Sequence, residues 1–304
     1  MSKADKLFVD MCQKIIDSGM SSEGQIVRPR WEDGTPAHTI KTFGVVNRYN
    51  LQDEFPALTL RPTAIKSAFD EILWIWQRKS NNVHDLNSHI WDEWADDTGS
   101  IGKAYGAQLR EQYAHHRYTK EEDLSLYPSA TIKTFDEGTF VMMDQVDGVL
   151  YDLRNTPFSR RIMTNIYNFH ELYQMALYPC AYSMTFNVTQ NEDGKFVLNG
   201  ILNQRSQDIL AANNWNVVQY SLLLMMFAQS CDMLPGELLH VISDAHIYDR
   251  HIPIVKELIK REQFPAPKVT LNPDIKDFYK FTVNDLIIED YKKNPQIKNI
   301  PIAV

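Results

Sequence analysis

A few short segments of this chain combine residue types that could do chemistry. The first is Ala176-Leu177-Tyr178-Pro179-Cys180-Ala181-Tyr182, at a boundary between a helical stretch and a strand. Proline removes a backbone N–H and restricts the residue before it, so Pro179 fixes the chain around Cys180. A thiol held this way suits nucleophilic addition if a cation lowers its pKa. The neighbouring sequence supplies no cation, so one must come from elsewhere in the fold; otherwise Cys180 is a packed thiol. A second segment, Asn203-Gln204-Arg205-Ser206-Gln207-Asp208, sets an arginine, a hydroxyl and a carboxylate within four positions. Upstream, Ser159-Arg160-Arg161 pairs a hydroxyl with two arginines. Planar guanidinium groups suit bidentate phosphate binding, although a salt-bridged surface would have the same composition. In Ser243-Asp244-Ala245-His246-Ile247-Tyr248, His246 and Tyr248 share one side if the segment is extended.

The elements that would position these residues follow from periodicity. Leu7, Phe8, Met11, Cys12, Ile15 and Ile16 recur at helical spacing before Gly19, which makes Cys12 a core residue. Residues 25–50 read as a loop, with the turn Asp33-Gly34-Thr35-Pro36, and then a strand. Residues 64–78 read as a helix with Ala64, Ala68, Ile72, Ile75 and Trp76 along one side and Glu71 on or beside that stripe. Trp74, Trp76, Trp91 and Trp94 form an aromatic concentration expected in the core. From 111 to 147 the sequence turns polar and irregular and reads as an insertion, with His115-His116 solvated. Asn191-Glu192-Asp193-Gly194 is a hairpin turn between Phe186-Asn187-Val188 and Phe196-Val197-Leu198. A long apolar helix runs from Val217 to Cys231, and another helix is expected over 246–262. Strands and helices interleave without a regular βα period. The expectation is one α+β domain over 1–304.

Composition bounds the possibilities. Apolar residues at 44% and charged residues at 23% give an ordinary globule rather than a disordered chain. The formal charge of −8 argues against bulk attraction to nucleic acid or to an anionic membrane, but leaves room for a small anion held locally. No apolar run reaches the roughly 18 residues of a membrane span. Three separated cysteines, with no Cys-x-x-Cys pair or Cys/His cluster, suggest neither a disulfide framework nor zinc. A reducing cytoplasm is the expected compartment, and no metal is expected.

Taken in order, Pro-Cys, Gln-Arg-Ser-x-Asp and Asp-Ala-His-Ile-Tyr resemble the thymidylate synthase family in sequence and spacing. Further matches are Asp70-Glu71-Ile72-Leu73-Trp74, Ile90-Trp91-Asp92-Glu93-Trp94, Ala104-Tyr105-Gly106, Ser159-Arg160-Arg161 and the apolar terminus Ala303-Val304. The resemblance runs from about residue 6 to residue 304, apart from the stretch near 111–147. It implies a single three-layer domain whose central mixed β-sheet is packed by helices and dimerises through a sheet face. It implies reductive methylation of dUMP by 5,10-methylenetetrahydrofolate, giving dTMP and dihydrofolate.

By the same resemblance, Cys180 would add to C6 of uracil, Glu71 would carry protons at O4 and the folate, and Tyr105 would help remove the C5 proton. Arg205 and Ser206 would bind phosphate, with one of Arg28 or Arg30. Arg160 and Arg161 would reach the phosphate in the partner subunit. Asn216 would read the O4/N3 edge of uracil, whereas relatives acting on dCMP carry aspartate there. His246 and Tyr248 would bind the ribose hydroxyl. Ile90, Trp91, Asp208 and Ala303 would contact folate, Asp208 also lying beside the nucleotide, and the Val304 carboxylate would close the site.

Two departures stand out. Where the family usually has Leu-Gly-x-Pro-Phe-Asn, this chain has Ala211-Ala212-Asn213-Asn214-Trp215-Asn216, and the histidine that commonly follows the nucleophile is Ala181. Loss of glycine and proline predicts a stiffer backbone at Ala212, a looser loop and weaker folate binding. Two other readings follow: a pyrimidine hydroxymethylase, opposed by Trp91 as a shield against water, and a weakly active relative that binds nucleotide or RNA as a regulator.

Overall fold

A computed structural model describes residues 1–303. Its elements in chain order begin with α1 (Lys3–Ser18), β1 (Met20–Ser21), β2 (Thr39–Asn50), α2 (Ile65–Ile72) and α3 (Gly106–Leu109). Next come β3 (Tyr113–Arg117), β4 (Thr131–Phe135), β5 (Gly138–Met143), α4 (Gln145–Asn155), β6 (Met163–Asn165), β7 (Ala181–Gln190), β8 (Phe196–Gln204) and β9 (Gln207–Asp208). The last are α5 (Asn213–Ser230), β10 (Leu234–Tyr248), α6 (Ile252–Leu258), β11 (Lys268–Leu271) and β12 (Leu286–Glu289).

The central sheet has the order β1-β2-β10-β8-β7-β6, with β9 beside β10. It is mixed, because β10 runs parallel to β8 and β9 but antiparallel to β2. Helix α5 is apolar on nearly every side and lies against β8 and β10, with α2 on its far side. An all-round apolar helix needs cover on both faces, which makes the middle layer. Phe227 of α5 shows the packing: it stacks on Phe278 at 4.6 Å and meets Phe186 edge-on at 5.1 Å. On the opposite sheet face, register aligns Val46, Val241, Leu239, Ile201, Thr185 and Met163 across β2, β10, β8, β7 and β6. Val46 and Met163 there are more than half exposed.

Three expectations change. The helix read at 64–78 is α-helical only to Ile72 and continues as a π-helical turn over Leu73–Gln77, which buries Trp74 and Trp76. The helix expected over 246–262 begins at Ile252, because residues 246–248 pair with β2 and complete β10. The 111–147 stretch is an ordered antiparallel sheet, β3-β5-β4, anchored by the fully buried Val141 and Met143. His115 and His116 are half-buried rather than solvated. Their Nδ1 atoms lie 2.7 Å apart, His116 meets Glu122 at 2.6 Å, and its ring stacks on Tyr151.

No helix among the described residues is long and apolar enough to cross a membrane. Replacing Phe227 by Ala should cost about 3–5 kcal/mol. Urea unfolding measures it; a loss under about 1 kcal/mol would mean that α5 is not the packed middle layer.

Candidate active site

A cleft of about 660 Å³ opens where the ends of β8, β9 and β10 meet the first turn of α5. Arg205 leaves the end of β8 and is bound to the Pro179–Cys180 turn at several points. Its backbone N–H donates to the Cys180 carbonyl at 3.0 Å, its Nε to the Pro179 carbonyl at 3.0 Å and its Nη2 to the Tyr178 carbonyl at 2.8 Å. The same Nη2 lies 3.8 Å from Cys180 Sγ. Burial raises the pKa of Cys180, while the guanidinium groups of Arg205 and Arg28 pull it back towards the ionised form. The cation absent from the local sequence is therefore supplied across the fold. From the other side, Cys180 N donates to the hydroxyl of Tyr105 at 3.4 Å. Tyr105 has a positive φ of 47°, and burial raises its own pKa well above the usual value.

Glu71 is buried at the back of the cleft. Its Oε1 accepts from Trp91 Nε1 at 3.1 Å and its Oε2 from Trp215 Nε1 at 2.7 Å. Burial pushes its pKa up, and bonds from Trp215, Trp91 and Gln219 work against that rise. Trp91 is fixed edge-on against Tyr105, with centroids 4.9 Å apart. Asn216, one turn into α5, accepts from Gln204 at 3.0 Å and from Gln207 at 3.3 Å and donates to Gln219 at 3.0 Å. Gln204 in turn accepts from His240 at 2.5 Å, a ring whose pKa burial lowers to about 3. A neutral His240 thus orients the amide pair behind Asn216.

Ser206, Asp208, His246 and Tyr248 line the same cleft. Burial opposes the charge on Asp208, but His251 outweighs it and holds the carboxyl below its usual range. Asp208 also accepts from the Ala211 N–H at 3.0 Å, and His246 donates to Asp244 at 2.9 Å. Ile90, Trp91, Ile302 and Ala303 complete the wall; Val304 lies outside the described residues. Arg28 lines the cleft and acts on Cys180, whereas Arg30 sits in a bridge to Pro36, away from the cleft lining. Arg160 and Arg161 are exposed just before β6 and do not line this chain's own cleft.

The family model described as thymidylate synthase matches residues 6–304. A thymidylate synthase from Bacillus mojavensis is 40% identical, the match covering 98% of each chain. Thymidylate synthase 1 of Bacillus subtilis (strain 168) is 39% identical over the same shares. The solved structure of a thermostable thymidylate synthase A from Bacillus subtilis superposes with a TM-score of 0.84 at 37% identity, covering 99% of each chain. This chain belongs to the thymidylate synthase family.

The departures from the family's usual segment look different in three dimensions. Ala212 has φ −117° and ψ −16°, a conformation open to any residue, so glycine's freedom is not required. The loop expected to loosen without proline is pinned by Asn214 instead. That side chain donates to the Pro56 carbonyl at 2.9 Å and accepts from Leu58 N at 3.0 Å and Thr63 Oγ1 at 2.5 Å. Three further residues had no distinguishing sequence signal. Arg61 lines the cleft and donates to the Leu210 carbonyl. His251 is buried and donates to Pro301 O at 2.7 Å, with its other ring nitrogen 3.7 Å from Asp208. Asp208 and that carbonyl raise the pKa of His251 despite burial, which ties the C-terminal tail to the cleft. Trp215 differs from the family's phenylalanine, and sequence alone gives it no role.

Because the Arg205 charge lowers the Cys180 pKa, Arg205→Ala should raise it. Iodoacetamide alkylation of Cys180, followed by mass spectrometry, should slow at fixed mildly alkaline pH, with its midpoint moved to higher pH. An unchanged profile would show that Arg205 does not act on the thiol.

Proposed function

We propose that this cleft carries out the family's reaction, the reductive methylation of dUMP by 5,10-methylenetetrahydrofolate, with Cys180 as nucleophile. The observation that carries the reading is the Cys180 thiol 3.8 Å from Arg205, in one cleft with Glu71 and Asn216. C5 of uracil is a weak nucleophile. Addition of the Cys180 thiolate to C6 makes C5 enolate-like, so that it can attack the one-carbon unit carried by the folate. Charge then develops at O4 and must be met by fixed donors in a site shielded from water. We assign the uracil edge to Asn216 and proton transfer at O4 to Glu71. Tyr105 assists loss of the C5 proton. Loss of that proton breaks the carbon's bond to the folate nitrogen; the freed tetrahydrofolate then gives a hydride to that carbon as Cys180 leaves C6, and dTMP and dihydrofolate are released.

Arg205, Ser206 and Arg28 are assigned to the phosphate, and His246 and Tyr248 to the ribose. Arg28 is preferred to Arg30 because it shares the cleft with Cys180. Ile90, Trp91, Asp208 and Ala303 are assigned to the folate. Arg160 and Arg161, exposed and not lining their own cleft, are assigned to a partner's phosphate. The half-exposed sheet face of Val46, Ile201 and Met163 is the surface assigned to the homodimer. Residues 1–304 are read as one catalytic domain in which the 111–147 sheet is an appendage. Three free thiols suit a reducing cytoplasm. A hydroxymethylase would need water at the exocyclic carbon, and the fixed Trp91 ring at the cleft wall opposes that.

With dUMP and methylenetetrahydrofolate, dihydrofolate absorbance should rise, and Cys180→Ser should abolish the rise. Absence of product with the folded parent protein would refute the reading.

A further inference from the structure

We propose that Trp215 is a positioning residue for Glu71, its indole N–H acting with that of Trp91 to hold the buried carboxyl group in one orientation and to favour its carboxylate form. The inference rests on the reading of Glu71 as the proton carrier at O4. Each carboxylate oxygen has its own indole donor, Trp215 on Oε2 at 2.7 Å and Trp91 on Oε1 at 3.1 Å. An indole N–H can only donate. Protonating either oxygen weakens the bond that oxygen accepts, so the pair favours the carboxylate over the acid.

The groups that favour the Glu71 carboxylate are neutral donors. Glu71 is influenced by Asp70 on its own helix, by Gln219 and Tyr220 from α5, by Tyr105 at the start of α3, and by the two indoles. No cation is among these. Asp70 repels the charge and burial opposes it, whereas Trp215, Trp91 and Gln219 favour it. The two donors are held rigidly and independently. Trp91 is wedged against Tyr105, Trp74 and Trp94, with centroid distances of 4.9, 5.9 and 5.7 Å. Trp215 follows Asn214, whose side chain ties the start of α5 to the Pro56 and Leu58 backbone and to Thr63. The Trp215 ring also lines the cleft, so one side chain borders the ligand space and bonds the buried carboxylate.

The test replaces Trp215 by Phe, which keeps an aromatic ring and removes the donor. Glu71 is titrated by infrared spectroscopy through the carboxylic C=O band that disappears in Glu71→Gln. In Trp215→Phe the midpoint of that band should rise by about one pH unit, the size of a tenfold change in the protonation equilibrium. The acid limb of kcat/KM should move up with it. If Trp215→Phe does not fold, incorporating benzothienylalanine at position 215, an indole isostere without the N–H, provides the same comparison. An unmoved midpoint in either folded variant would overturn the proposal. A shifted midpoint with an unmoved kcat/KM limb would uphold the clamp and count instead against Glu71 as the proton carrier.

Discussion

The placement of Cys180 in the cleft depends on the attachment of Arg205 to the Pro179–Cys180 turn. A buried thiol resists ionisation, and a guanidinium left free would prefer water to its neighbourhood. The fold resolves both by letting Arg205 donate to two carbonyls of the turn that carries the cysteine, while its backbone binds a third. The end of β8 and the start of β7 are thereby locked in one geometry, with the cation 3.8 Å from Sγ. Because β8 is central to the mixed sheet, Cys180 inherits the rigidity of the core.

The same logic governs the other charges. Glu71 is surrounded by apolar rings but receives an N–H on each oxygen. Asp208 remains ionised beside His251, which also holds Pro301 and thus places the tail against the cleft. A net charge of −8 says little about a site proposed to take anions, because Arg205 and Arg28 are concentrated in one cleft and Arg160 and Arg161 are presented outward. Local placement decides here.

Much of this arrangement was legible before the structure. The 3.6-residue stripe put Glu71 beside apolar residues, and an extended reading of 243–248 put His246 and Tyr248 on one side, as β10 does. Pro179 marked Cys180. What escaped was set by distant contacts. Residues 246–248 fit either the end of a strand or the start of a helix, and pairing with β2 decides them. The polar 111–147 stretch hides a small sheet because only one side of it is buried, through Val141 and Met143. Arg28 and Arg30 differ by two residues, and only the loop's path separates them. Trp215 looked like a defect in a motif because a hydrogen bond to a residue 144 positions away leaves no mark in sequence.

The central claim is that Cys180 is the nucleophile of a site that holds nucleotide and folate together. It is tested most directly with 5-fluoro-dUMP, whose C5 fluorine cannot leave as the proton does, so the covalent complex stalls. Incubated with methylenetetrahydrofolate and analysed by mass spectrometry after digestion, the Cys180 peptide should carry both nucleotide and folate, stoichiometrically. No adduct, or one on Cys12 or Cys231, would contradict the account.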